Sequence, residues 1–464
     1  MLHACIVETL EALAGDQVAG QVERLAHHAL RGEVWEKAVT YGQQAGARAQ
    51  ERAAFHEAVA AFEQALQALA RLPEDSDTRV WAIEIRLALR TSLAPLGEYG
   101  RCLALLGEAE TLARALDDLL RLGWVLASMG DIRRLTGDYN GAMAVLREVL
   151  DLAVALGERA MQVEASYALG LISYDMGDFR QAVELQRWTV AALDRVASTG
   201  STTLHPSAYQ ARLARTLGQL GAFAEGRRHG EEALRLATLD SRGQAPVRAH
   251  ACLGELYLIQ GDLEGAVRVL EPGLALCRTS GDQTWLRGII GNLSAAYALQ
   301  GRLVEGCALV AEATSTINGH RAIAWVWFSE VCCLAGHGEK AWQYARHALD
   351  HARQRKACGT EALALHQLST VHAHAAPPDV QQAEASYQQA LALATELGMR
   401  PLQAHCHLGL GTLYAQTDRR AQARAALAAA IALYRAMDMT FWLPRAEAAL
   451  AVVNCNDSCS KAVG

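Results

Sequence analysis

The sequence predicts an all-α solenoid, a right-handed superhelix of stacked helix pairs, and three observations lead there. Apolar residues recur three and four apart over most of the 464 residues, the spacing that gives a helix one buried stripe. A helix–turn–helix pattern repeats along the chain, seen most clearly in Cys252-Leu253-Gly254-Glu255-Leu256-Tyr257 followed by Gly261-Asp262-Leu263-Glu264-Gly265-Ala266. Hydrophobic residues make up 51% of the chain but aromatic ones only 6%, which suits helices packed through Ala and Leu.

Each part of that pattern has a physical reason. Leu253, Gly254 and Tyr257 share one face of the first helix, because residues three and four apart are helical neighbours. Gly254 and Ala266 carry almost no side chain, so two helices can approach closely there. Gly261 ends the first helix, since glycine reaches positive φ without steric cost. The same turn with a small residue five places on appears at Gly97 (Cys102), Gly137 (Ala142), Gly177 (Ala182), Gly221 (Gly226), Gly261 (Ala266) and Gly301 (Gly306). Looser copies sit at Gly336 (Ala341), Pro378 (Ala383) and Asp418 (Ala423), with Glu33 to Ala38 an early variant. The steps from Gly97 to Asp418 run from 35 to 44 residues and most are 40, a period that marks a stacked helical repeat.

Leu253-Gly254-Tyr257-Gly261-Ala266 and Leu410-Gly411-Tyr414-Ala423, with Leu169-Gly170-Gly177-Ala182 close behind, resemble the tetratricopeptide repeat. The usual period of that repeat is about 34 residues, so a period near 40 implies longer helices or loops. The resemblance implies a scaffold whose first helices line a concave groove.

In chain order, residues 1–72 are expected to form an N-terminal helical region with early repeats, ended by the loop and N-cap candidate Pro73-Glu74-Asp75-Ser76-Asp77. Residues 73–453 are expected to form the superhelix, bent at Ser198–Thr203 and at Ala375–Asp379, where Asp379 is a cap candidate. Residues 454–464 lack periodicity and are expected to be a disordered tail. Val22–His28, Gly32–Ala38 and Ala45–Ala49 at one end, and Met399–Gly411 and Met439–Pro444 at the other, resemble the repeat region of bacterial multidomain signalling ATPases, including fusions to class III adenylate cyclases. That resemblance implies a sensor or autoregulatory arm for an ATPase or cyclase module. The chain holds no Gly-x-x-x-x-Gly-Lys-Ser/Thr to cradle phosphates, so the arm is expected to have no nucleotide chemistry of its own.

Composition excludes several classes. With 43 basic against 50 acidic residues, a net charge of -7 and a pI near 6.2, a basic nucleic-acid platform is not expected. No run of about 18 apolar residues could span a membrane, and Met1–Ile6 has no signal-peptide pattern. Eleven scattered Cys without Cys-x-x-Cys pairs read as reduced thiols, hence a cytoplasmic protein.

No catalytic residue, metal or cofactor is expected. His347 and His351 have the i, i+4 spacing of zinc proteases, but Ala348 stands where their Glu belongs, and a solvated helix face is the better reading. His405 and His407 point about 100° apart from each intervening neighbour's direction and cannot share one ion, although His366, His372 and His374 add to the group. Cys332-Cys333 lie in an apolar helix, where Cys packs as a small hydrophobe, and Cys455 and Cys459 lie in the tail. The groove should carry Asp131, Arg134, Glu164, Tyr167, Tyr174, Arg215, Arg248, Glu255 and His405, with Arg134, Arg215 and Arg248 as anchors for a carboxylate. A protein or peptide, the ATPase or cyclase module itself, or a small ligand as in maltose-regulator-type activators are the expected partners. A stand-alone enzyme ranks last.

Overall fold

A computed structural model describes residues 2–14, 20–52, 54–196, 206–239, 244–280, 283–316 and 322–462. Among them α-helices alternate with short turns and no strand is present, which establishes the all-α repeat fold. The chain divides into two compact units, Met1–Ala168 and Leu169–Gly464.

The first unit contains α1 (Leu2–Ala14), α2 (Val22–Arg31), α3 (Trp35–Glu51), α4 (Phe55–Leu69), α5 (Ser76–Leu93), α6 (Tyr99–Ala115), α7 (Leu119–Thr136) and α8 (Tyr139–Leu156), and the start of α9 (Arg159–Met176). The second takes the rest of α9, then α10 (Phe179–Val196), α11 (Pro206–Leu220), α12 (Phe223–Leu239), α13 (Ala245–Gln260), α14 (Leu263–Ser280), α15 (Gln283–Leu299) and α16 (Leu303–Thr316). It continues with α17 (Ala322–Leu334), α18 (Gly338–Gln354), α19 (Cys358–Ala373), α20 (Val380–Glu396), α21 (Arg400–Gln416), α22 (Arg420–Ala436) and α23 (Leu443–Ala462).

The repeat turns work as the sequence predicts. Gly97, Gly137, Gly177, Gly221, Gly261, Gly301 and Gly336 all have φ between +75° and +93°, and Glu33 and Asp418 take the left-handed region at +57° and +56°. Where Asp follows the glycine it caps the next helix, with Asp138, Asp178 and Asp262 accepting from the backbone N–H three residues on. Asp75 forms a reciprocal capping box with Thr78, and Asp379 caps α20 through Gln382. The small residue five places after each turn is buried in every copy, from Cys102 to Ala423. The direction of a Cβ on Gly254 is filled by the Leu270 side chain of α14, which explains the glycine there.

Two expectations end differently. The break at 73–77 is the α4–α5 loop inside the first unit, and the boundary between units falls at 168–169 instead. The tail is not irregular from Asn454: α23 runs on to Ala462, because each further residue of a nucleated helix adds a hydrogen bond even without an apolar stripe. The expected bend at Ser198–Thr203 lies outside the described residues.

In the second unit the first helices of successive pairs, α11, α13, α15, α17, α19 and α21, pack against one another as an inner layer. The array also closes on itself. The Gly177 turn meets Gly359 and Leu397, the Gly221 turn meets Met437 and Pro401, and the Gly261 turn meets Phe441 and Trp442. One hydrophobic core accordingly joins α11–α17 with α21–α23, bringing Leu253, Ile289 and Phe328 together with Tyr434, Met437 and Met439.

Gly261→Ala and Gly301→Ala separate the turn from the closure. Both force a side chain into the left-handed region, at roughly 1–2 kcal/mol. A Cβ at Gly261 would also sit 3.0 Å from Phe441 and Trp442, whereas at Gly301 it meets open space. Gly261→Ala is therefore expected to lower the melting temperature by several degrees more than Gly301→Ala, measured by circular dichroism; equal losses would mean that closure contributes nothing.

Candidate functional site

The inner layer of the second unit carries its buried charges: Arg215 on α11, Glu255 on α13 and Arg287 on α15. Arg215 Nε donates to Glu255 Oε2 at 2.8 Å, with the two side chains 8% and 7% exposed. The Arg215 guanidinium lies 4.7 Å from the Tyr174 ring centroid, and Gln219 donates to the other Glu255 oxygen at 3.3 Å. Burial alone would lower the Arg215 pKa, but the Glu255 carboxylate outweighs it and holds the guanidinium charged. The Tyr174 hydroxyl is pushed up by burial.

Towards the C-terminal end, α13, α15, α17, α19, α20, α21 and α23 surround a cavity of about 410 Å³. Its polar lining is sparse. Gln367 Nε2 donates to Glu330 Oε2, while Gln367 Oε1 and the indole N–H groups of Trp327 and Trp442 are buried with no hydrogen-bond partner among the described residues. Burial pushes the Glu330 carboxyl up, opposed by the Gln367 hydrogen bond, Arg445 and His374. The guanidinium of Arg445, an exposed residue, rests over Phe441 and Trp442 at 4.2 and 5.0 Å.

Two histidines complete the lining. His405 Nδ1 pairs with the Tyr434 hydroxyl at 2.9 Å, and its ring meets Trp442 edge-on with centroids 4.6 Å apart. His366 lies 6.0 Å from His405 and 5.7 Å from Tyr387. Burial drives His366 down to about 4 and His405 down to about 3, the latter also through its His366 neighbour. Among the described residues no group of three or more His, Cys, Asp or Glu could hold a metal ion, and no helix is long and apolar enough to cross a membrane.

The residues expected in one groove divide between several places. Tyr174, Arg215 and Glu255 do meet, but as an internal ion-pair cluster, so Arg215 is not an open anchor. Arg248 lies 5.8 Å from the Trp285 ring, and His405 lines the cavity. Asp131 and Arg134 belong to the first unit and bond each other at 3.1 Å, with Arg90 reaching Asp131 at 2.5 Å. Burial would raise the Asp131 carboxyl, yet the two guanidiniums hold it below its usual value. Tyr167 is buried and Glu164 half-buried on α9. The exposed His347 side chain lies with its ring 4.9 Å from Trp325, and burial pushes both Cys332 and Cys333 up to about 11, as expected of packed thiols. Sequence reading missed Trp327, Glu330, Gln367 and Trp442, because single polar or aromatic residues on apolar helices acquire meaning only when distant helices converge.

No protein-family model matches the chain. Candidate HTH-type transcriptional regulators of Mycobacterium tuberculosis and Mycobacterium bovis are 29% identical over 260 residues, 55% of this chain and 27% of theirs. The chain thus spans about a quarter of the length of these curated relatives. Among solved structures, a Rap protein complexed with competence and sporulation factor has a TM-score of 0.56 at 13% identity, covering 78% of this chain and 99% of that one. The apo quorum sensor NprR of B. thuringiensis gives 0.49 at 12% identity over 77% and 99%, and a signal-transduction ATPase with a tetratricopeptide repeat sensor from Pyrococcus horikoshii gives 0.46 at 12% over 72% and 53%. At such identity the likeness to the Rap protein shows the shared helical-repeat fold.

The ion pair and the histidines each make a stability prediction. Glu255→Ala leaves Arg215 buried without its counter-charge, at roughly 3–5 kcal/mol; the double variant Arg215→Met/Glu255→Leu should melt well above it, and the reverse order would show that the pair is not what holds α11 to α13. For the histidines, an ordinary imidazole takes a proton near 6.5, while His366 and His405 resist to about 4 and about 3. The unfolded chain binds more protons in that window, so stability present above pH 6.5 is lost as the pH falls through it. Melting curves from pH 7.5 to 4.5 should show this loss in the native chain and a flatter profile in His366→Gln/His405→Gln; an unchanged slope would assign it to other groups.

Proposed function

We propose that this chain is a non-enzymatic sensor region of a bacterial regulatory protein, which binds a small ligand or a short peptide segment in the cavity of its second unit. The carrying observation is a space of about 410 Å³ whose lining residues include Trp327, Trp442 and Gln367, each with a buried polar atom that has no hydrogen-bond partner among the described residues. A buried polar group without a partner costs roughly 1–3 kcal/mol, so a ligand offering acceptors to Trp327 and Trp442 and a donor to Gln367 would recover that cost. The volume falls within the range of about 300–1,000 Å³ usual for small-molecule sites.

For the parent protein, the sequence resemblance favours a signalling ATPase or cyclase, while the HTH-type relatives favour a transcription regulator that carries this region as its sensor. The second of these rests on a measured sequence match and is preferred. Binding would act by favouring one of two arrangements of the closed repeat array. Such a protein works in the cytoplasm, where its effector domain and its ligand meet.

A fluorescence and thermal-shift screen of metabolites and short peptides tests the reading. A true ligand at about 100 times its Kd adds about 2.7 kcal/mol to stability. It should quench tryptophan emission, and Trp442→Phe and Gln367→Leu should weaken it by tenfold or more at a temperature where circular dichroism shows both variants folded. A ligand that binds both variants as tightly as the native chain occupies some other surface and refutes the cavity as the sensor site.

A further inference from the structure

Among the described residues, two guanidiniums of the inner layer share one indole ring and have no carboxylate partner. Arg212 on α11 places its Cζ 4.8 Å from the Trp285 ring centroid, and Arg248 on α13 lies 5.8 Å from the same ring. Both residues are half-buried, and the buried Nε of each has no hydrogen-bond partner. No carboxylate oxygen of a described residue lies within 4.0 Å of either side chain. Arg215, one turn beyond Arg212, is matched by Glu255 at 2.8 Å. The buried Cys252 thiol, pushed up by desolvation, is under the influence of Arg212, Arg215, Arg248 and Glu255 at once. These four charges therefore share one neighbourhood, and the Asp175 carboxylate, which acts on the Tyr174 hydroxyl alongside Arg212, Arg215 and Glu255, adds a second negative charge to it.

Like charges held together in a partly desolvated place repel one another, and the repulsion is relieved only by an anion or by solvent. Stacking on an indole face keeps a guanidinium flat and leaves its N–H edge pointing outwards, able to fork two hydrogen bonds onto a pair of oxygens. Arg serves this purpose where Lys would not, because its planar donors are fixed relative to one another. Two neighbouring guanidiniums with no carboxylate partner match a ligand group that presents two anionic oxygens.

We propose that Arg212 and Arg248, gathered on the ring of Trp285, form a binding site for a dianionic oxyanion group, the chemistry shared by dicarboxylates and phosphate esters. The site is separate from the Glu330–Gln367 cavity and stands on its own observations. A ligand that carries such a group is the chemical class this face of α11, α13 and α15 selects.

The test uses the full chain at low ionic strength, with inorganic phosphate, succinate and chloride as probes, read by calorimetry and thermal melting. Phosphate or succinate should bind saturably and raise the melting temperature where chloride at equal ionic strength does not. Binding of phosphate alone identifies a phosphate ester as the source, succinate alone a dicarboxylate, and both the shared oxyanion. Arg212→Gln and Arg248→Gln should each weaken binding tenfold or more. Without added anion the same variants should melt at or above the native temperature, since each removes a repulsion, which a merely structural arginine would not do. Arg302→Gln, whose guanidinium is already paired with Glu305, and Trp442→Phe in the cavity should keep the full response. The proposal is overturned if neither dianion exceeds chloride, or if both arginine variants bind as the native chain does.

Discussion

The second unit depends on one contact, the seating of its early repeat turns on the end of its last repeats. Gly221 and Gly261 turn in the left-handed region and present bare backbone, against which Met437, Phe441 and Trp442 pack. A side chain at either turn would hold these surfaces apart. Because the contact closes the array, the inner helices face one another across a confined space instead of an open groove. A single hydrophobic core then runs from α11 through α17 and on into α21–α23.

Closure also explains where the polar residues went. Inner helices packed on both sides expose little to water, so the charges they carry must be matched or neutralised. Arg215 and Glu255 match each other, and His366 and His405 stay neutral because desolvation favours the uncharged imidazole. Groups left over from that internal matching are the ones available for a partner. Two sets of them lie close together: neutral donors and acceptors of residues lining the cavity, and the guanidiniums of Arg212 and Arg248 on Trp285. The first suit a mostly apolar ligand with a few polar edges, the second an anion.

Much of the local architecture is legible in the amino-acid sequence. The turn glycines, the buried small residue five places later, and the caps at Asp75 and Asp379 all follow from backbone sterics and orphan helix-end groups that involve only a few neighbouring residues. The expected anchors fared differently. Arg134 and Asp131 satisfy each other one turn apart in the first unit, and Arg215 is taken by Glu255 from the neighbouring pair. A sequence pattern can place a charged residue on an inner helix, but whether its charge is matched internally depends on what the adjacent helix brings to the same height.

The sequence by itself determined that this chain is an all-α array of helix pairs, with turns at known positions, because those features arise from contacts within some 40 residues. The tertiary structure alone decided that the segment leading into α23 meets the Gly261 turn and that Glu330, Gln367 and His405 surround one cavity. It also decided which inner-layer arginines are matched by a carboxylate and which stack on an indole instead. Those outcomes depend on the summed rotation from repeat to repeat, and small angles that no single repeat reveals are what bring residues far apart in the chain into contact.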